Sequence, residues 1–317
     1  MVSLPKRILD NFQNNNIDSN SALMLLISLI ENSNDEETRV ESIITLEEVG
    51  AFNNDIFLFL ENLLVSDSSC KVRNAASKLI KKIFSNNALG LIKWGINHET
   101  CHECLITLIE ILAQINSQES KEILMCEIEK IMKNKFLDKD KQIDNNKFKK
   151  NLKKLFRKRN ITDFTQDELA EIIINYLIIS LLIKKFYSVF FELEEGLVVE
   201  LDLSDVELEV RGWKAEFKNN IEEIDEIEGL EKLKRLKRLD LSNNKIKNVK
   251  ELVRLKNLSY LNLSKNKIDD EENLEHLKKM PNLRYLNLVG NKISERLFIN
   301  EFNQELEIVS KKSYYYY

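Results

Sequence analysis

The chain has 317 residues, 43% of them hydrophobic and 31% charged, and Lys+Arg 47 against Asp+Glu 52 leave a formal net charge of -5. That length accommodates about two domains, and a slightly acidic total speaks against a protein that binds nucleic acid with its whole surface. Seven glycines and two prolines are too few for long disordered linkers.

The N-terminal stretch MVSLPKRILDNFQNNN has no apolar run of the signal-peptide kind. A cytoplasmic, reducing compartment is therefore expected, with the four cysteines as free thiols.

From Ser19 to about Lys135 the apolar residues follow helical spacing. Val72, Ala75, Ala76, Leu79, Ile80 and Ile83 recur at the i, i+3, i+4, i+7 interval of one buried helix face, with Asp67 and Ser69 ahead of them as N-cap candidates. TRVESIITLEEV from Thr38 and TCHECLITLIEI from Thr100 share their Thr, Glu, Ile, Thr, Leu and Glu positions at a separation of 62 residues, with the Val72 helix near the midpoint. The repeating unit is thus about 31 residues, and LMLLISLI, DIFLFLENLL, ALGLIKWGI and EILMCEIEKIM read as partner helices. DSSCKVRNAASKLI, with Asp67, Val72, Arg73, Ala75, Ala76 and Leu79, resembles the second helix of a HEAT repeat. The resemblance implies three to four helical hairpins stacked as an all-α solenoid over residues 1–135.

His98-Glu99-Thr100-Cys101-His102 satisfies H-E-x-x-H. On one helix the two imidazoles would share a face and could hold Zn²⁺ with Glu99 as general base, as in the zinc peptidases that the motif resembles. A structural metal site is the other reading, since His98, Cys101 and Cys104 lie three residues apart and Cys70 and Cys126 could approach through stacking. Against both, His102 falls in the packing slot of Val40 and Val72. The repeat explains its neighbours without a metal, so no catalytic residue, metal or other cofactor is assigned. No phosphate-binding loop, nucleophile elbow or dinucleotide fingerprint occurs either.

Residues 133–160 hold twelve Lys or Arg against Asp138, Asp140 and Asp144, a local excess of nine positive charges. Phe148, Leu152, Leu155 and Phe156 make a narrow apolar stripe on this cationic helix, which is expected to connect two domains over residues 136–162. Lys149, Lys150, Lys153 and Lys154 are its candidate electrostatic contacts, to an acidic protein surface or an anionic membrane; nucleic acid is not favoured. The alternative is an interdomain strut.

Next, Asp163 and Thr165 are capping candidates for DELAEIIINYLIISLLIKKFYSVFF, apolar on all sides. Its run IIINYLIISLLI, twelve residues, is short of the ~20 that cross a bilayer. It reads as a buried helix, residues 163–195, that closes the following domain.

Residues 196–317 carry the clearest pattern. LKRLDLSNNKI, LSYLNLSKNKI and LRYLNLVGNKI are one phrase written three times; Leu239 and Leu261 lie 22 residues apart and Leu286 follows after 25. The paired leucines of each short strand point inward. Asn244, Asn266 and Asn291 stand where an amide can bond backbone groups that the strand no longer pairs, and Ile246, Ile268 and Ile293 re-enter the core. The phrase resembles the leucine-rich repeat, in particular the 22-residue subclass of protein phosphatase one regulators. That resemblance implies an α/β solenoid with a short parallel sheet. A shift of 22 residues upstream places Ile224, Ile227, Leu230 and Leu233 on Ile246, Val249, Leu252 and Leu255 as a degenerate repeat, with Glu222 in place of the Asn, and LVVELDLSDVEL repeats the strand phrase at Leu201 and Leu203, with Val206 at the Asn position. About five strands are expected, with Phe302, Leu306 and Ile308 as a closing edge.

The whole reads as a mixed-class, non-catalytic scaffold or regulatory adaptor. Residues between the inward leucines must face outward, which makes Arg238, Asp240 and Ser242, Tyr260, Asn262 and Ser264, and Tyr285, Asn287 and Val289 the candidate partner-binding surface. The partner class implied by the resemblance is a phosphatase or another regulated enzyme.

Overall fold

A computed structural model of the chain describes residues 2–50, 52–84, 88–133, 146–186, 188–206, 220–295 and 305–310. The chain divides into two compact units, Met1–Ile128 with Phe164–Ile173 and Glu129–Asp163 with Ile174–Tyr317.

The first unit is helical: α1 (Leu4–Gln13), α2 (Ser19–Asn32), α3 (Glu36–Val49), α4 (Asn54–Ser66), α5 (Cys70–Ile83), α6 (Leu89–His98), α7 (His102–Gln114) and α8 (Gln118–Met132), whose last turn is assigned to the second unit. Short polar side chains start these helices. Asp18, Asp35, Asn53 and Ser69 each accept a hydrogen bond from the backbone three residues on, satisfying an N–H that lacks an intrahelical partner. Asp67, the other cap candidate, ends α4 instead and accepts from the Ser69 N–H.

Helices pair as α2 with α3, α4 with α5 and α6 with α7, while α3, α5 and α7 lie side by side in that order. The 62-residue echo holds in the packing. Ser42, Ile43, Thr45, Leu46 and Val49 of α3 are buried, and so are Cys104, Leu105, Thr107, Leu108 and Ile111 of α7.

Arginines tie neighbouring hairpins together. Arg39 of α3 donates to the Ile30 carbonyl of its own hairpin and pairs with Asp67 of the next. Arg73 of α5 repeats the device, donating to the Asp67 carbonyl and forking onto Glu99.

The four cysteines are not all free thiols, as their compartment led one to expect. Cys70 and Cys101 are joined as a disulfide, while Cys104 and Cys126 are free. Both bonded residues sit at the starts of adjacent stacked helices, which sets their Cα atoms 6.1 Å apart, inside the range a disulfide spans.

The helix α10 (Gln166–Lys185) begins in the first unit and ends in the second. Thr165 caps it reciprocally with Glu168, and the Gln166 amide donates to the carbonyls of Leu112 in the last turn of α7 and of its C-cap Ile115. The helix stops at Lys185, short of the expected extent. Phe190–Glu194 is a strand.

The second unit holds α9 (Asn146–Lys158), α11 (Glu272–Lys278) and a six-stranded sheet in sequential order: β1 (Phe190–Glu194), β2 (Leu197–Asp202), β3 (Arg238–Asp240), β4 (Tyr260–Asn262), β5 (Tyr285–Asn287) and β6 (Glu307–Val309). β1 and β2 are antiparallel, joined at Glu195 and Gly196, both at positive φ, the tight hairpin turn that matches strand twist. β2 to β6 run parallel: the strands of the LVVELDL phrase and of the three clear repeats are present with a closing edge, but the degenerate repeat has no strand of its own between β2 and β3. Ile308 lies in β6, and Phe302 is outside the described residues.

The degenerate repeat is not a separate one. β2 pairs directly with β3, Leu201 beside Leu239. The Ile224 segment therefore belongs to the repeat that β2 begins, with Ile224, Ile227, Leu230 and Leu233 buried.

The second half of α10 covers the first repeat from within the same unit. Asn175, the polar residue in its apolar run, accepts the Val198 N–H of β2 at 2.9 Å. Lys185 bonds the Glu226 carbonyl at 2.6 Å and the Glu228 carboxylate at 2.9 Å. Among the described residues no helix is long and apolar enough to cross a membrane.

Candidate functional site

The repeats that begin at β3, β4 and β5 are each held by one buried asparagine. Asn266 Nδ2 donates to Leu263 O of its own repeat at 3.0 Å and to Leu241 O of the preceding one at 2.8 Å, while its Oδ1 accepts the Ile246 N–H at 3.0 Å. Asn244 makes the same three bonds to Leu241, Leu203 and Ile221, and Asn291 to Leu288, Leu263 and Ile268. The residue before each is left-handed, Asn243, Lys265 and Gly290, which turns the chain off the strand. The ladder also fixes the register of the repeat that begins at β2. Ile221 bonds Asn244 as Ile246 bonds Asn266, so Ile221 and not Ile224 is the counterpart of Ile246 on the strand-exit side.

This scaffold presents the predicted columns. Arg238, Tyr260 and Tyr285 are in register across three strands, as are Asp240, Asn262 and Asn287. The two columns do different work. Asp240 accepts the Ser242 N–H, Asn262 the Ser264 N–H and Asn287 the Val289 N–H, and Asp202 does the same for Ser204. The inner column closes Asx turns at the strand ends, a structural role that the sequence reading did not assign. Its signal was legible: a short Asx residue two positions before each turn.

The outer column has no such task. The Tyr260 and Tyr285 rings stack with centroids 4.5 Å apart and 1° between planes, and the Arg238 guanidinium lies 4.0 Å over Tyr260. Glu200 of β2, in register with Arg238, is 3.5 Å from it. Burial raises the Tyr260 phenol above its ordinary 10.0, helped by neighbouring Tyr285 and Asp240, so Tyr260 stays neutral at physiological pH. Both tyrosines are half-buried and Arg238 is exposed. A cavity of about 230 Å³ opens at the β1 end of this face, lined in part by Phe190, Glu200, Arg238 and Tyr260; Phe190 is 68% exposed.

On α9, Phe148, Leu152 and Leu155 are buried and Phe156 is half-buried. Phe148 meets Tyr176 of α10 edge-on and Phe191 of β1 at a tilt. Lys150, Lys153 and Lys154 are exposed and Lys149 half-buried. Lys135, Lys139 and Lys141, with the three aspartates of the basic stretch, are outside the described residues.

The H-E-x-x-H residues do not share a helix. His98 ends α6, Glu99 follows as its C-cap, and His102 begins α7. In the 62-residue register α3 starts one turn ahead of Val40, whereas α7 starts at His102, so the motif spans a turn. His98 Nδ1 bonds the Trp94 carbonyl at 2.7 Å, and its ring stacks on Trp94. Glu99 is committed to Arg73 and to the N–H groups of Thr100 and Cys101. Among the described residues no group of three or more His, Cys, Asp or Glu is placed to hold a metal ion.

A family profile described as "Leucine Rich repeats (2 copies)" matches residues 234–276 and 256–301. The matched region therefore carries leucine-rich repeats. Comparison with curated proteins and with solved structures gives no match.

Proposed function

We propose that this protein is a non-catalytic scaffold or regulatory adaptor that holds a protein partner on the strand face of its leucine-rich repeats. In this reading the paired helices of the first unit are HEAT-like repeats of an α-solenoid, and the repeats of the second unit are of the 22-residue subclass. The protein works in the cytoplasm on a phosphatase or another regulated enzyme.

The observation that carries the proposal is the division of labour between the two columns. Asp240, Asn262 and Asn287 are occupied by their own turns. Arg238, Tyr260 and Tyr285 form a stacked, partly exposed strip that the repeat's core does not require. Tyr and Arg are enriched at binding hot spots because they bury large area at low entropic cost. Affinity capture with mass spectrometry identifies the partner. Tyr260→Ala with Tyr285→Ala then lowers its affinity by more than ~2 kcal/mol with the circular dichroism spectrum unchanged. Undiminished capture by the folded double variant moves the binding surface elsewhere.

A further inference from the structure

We infer that the cavity between α9 and the β1–β2 hairpin is a docking site for an acidic segment of a protein partner, with one apolar side chain of that segment inside the cavity. The volume is about 470 Å³, within the range of sites that take a specific ligand group. Its apolar wall is Leu155 of α9 with Leu193, Leu197 and Val199 of the hairpin. Around it stand Lys154 and Lys158 of α9 and Arg235 and Lys237 ahead of β3, against Glu194 and Glu195. Lys237 is paired with Glu194 at 2.9 Å; Lys154, Lys158 and Arg235 have no acidic partner among the described residues.

The wall is also stiff. Asn151 donates to Leu193 O at 3.0 Å and accepts the Gly196 N–H at 2.6 Å, which fixes the hairpin to α9, and Lys147 anchors Glu192 at 2.6 Å. α9 itself carries seven cations and no acid, so the cavity opens beside a strongly basic helix. An aliphatic interior under a cationic rim is complementary to an apolar residue flanked by carboxylates.

The other anionic occupants fit less well. Phe148, Leu152 and Leu155 of the α9 stripe are buried, with Phe148 packed on Tyr176 and Phe191, so this helix has no broad apolar face to insert into lipid. None of the lining residues is aromatic, so the cavity offers no platform on which a nucleobase would stack. The site uses none of the residues of the Tyr260 strip.

The test uses the full chain and a fluorescein-labelled peptide in which a single leucine is flanked by glutamates. Anisotropy is expected to show saturable binding that weakens as salt rises. Lys158→Glu with Arg235→Glu weakens it about tenfold or more, as does replacing the peptide leucine by serine. The folded state of the variant is checked by its thermal midpoint. Lys154→Ala, a milder change on an exposed side chain, gives a smaller loss in the same direction. Tyr260→Ala with Tyr285→Ala leaves peptide binding intact, which separates this site from the strand face. The inference is overturned by an absence of saturable binding or by equal binding to the charge-reversed variant. It is also overturned if phosphatidylserine vesicles or duplex DNA bind while the peptide does not.

Discussion

The Arg73 guanidinium closes as a fork on the Glu99 carboxylate, Nε to Oε2 at 2.8 Å and Nη2 to Oε1 at 3.0 Å, across the junction between two helical hairpins. The Glu99 side chain is 5% exposed, so removing Arg73 would strand a buried charge. Arg73→Ala is expected to cost about 3 kcal/mol in urea unfolding.

The same pair gives a pH dependence. Burial pushes the Glu99 carboxyl up, but Arg73 and the Cys101 and Thr100 N–H groups outweigh it and hold it below its ordinary 4.5. A depressed carboxyl contributes stability that is present above its unfolded value and lost as pH falls through the folded one. Acid titration of stability should therefore show a component that disappears below about pH 4.5 and is missing from Glu99→Gln. Superimposable acid profiles for the two proteins would refute this.

The asparagine ladder predicts a contrast within one residue type. Asn266→Ala leaves the Ile246 N–H and the Leu241 and Leu263 carbonyls short of a buried partner, at about 2–4 kcal/mol. Exposed Asn257, with a single bond to the Lys234 carbonyl, should lose less than ~1 kcal/mol on the same substitution. Equal losses would mean that the ladder is not what joins the repeats.

Gly229 sits at φ +79, and a Cβ there would lie 2.9 Å from Ile178 Cγ1 of α10. Gly229→Ala combines left-handed strain with overpacking, roughly 2 kcal/mol or more. Ile178→Ala removes both Cγ1 and Cδ1, the nearest atoms, so in that background Gly229→Ala should cost less than it does alone. An unchanged cost would mean that backbone strain alone is responsible.

The four cysteines should respond in steps to iodoacetamide under non-reducing conditions. Cys126 is exposed, whereas Cys104 is buried against Ser77 and burial pushes its thiol up to about 12, so the folded protein takes one label. Denaturation adds Cys104, and reduction adds Cys70 and Cys101. Four labels after denaturation alone would show that the last two are not bonded.

Much of this was legible in the sequence because repeats write their mechanics into spacing. Leucines at alternate positions and an asparagine after them specify a strand and a turn locally, so Leu239, Asn244 and their counterparts could be placed without any tertiary information. The 62-residue echo likewise fixed which residues of α3 and α7 are buried. What escaped depended on where elements end and on what covers them. His98 and His102 look like ligands on one helix until the helix proves to break at Glu99, whose carboxylate is worth more to Arg73 of the neighbouring hairpin than to a longer α7. Phe190 and Phe191 continue an apolar helical run in the sequence, yet the Glu195–Gly196 turn gives them a strand partner in β2, and pairing overrides the run. The stripe on α9 was compatible with a membrane, an acidic groove or a strut. Only the packing of Phe148 on Tyr176 and Phe191 decided that its apolar side faces inward. Each of these outcomes rests on residues far apart in the chain, and no local pattern encodes a contact whose other half lies forty residues away.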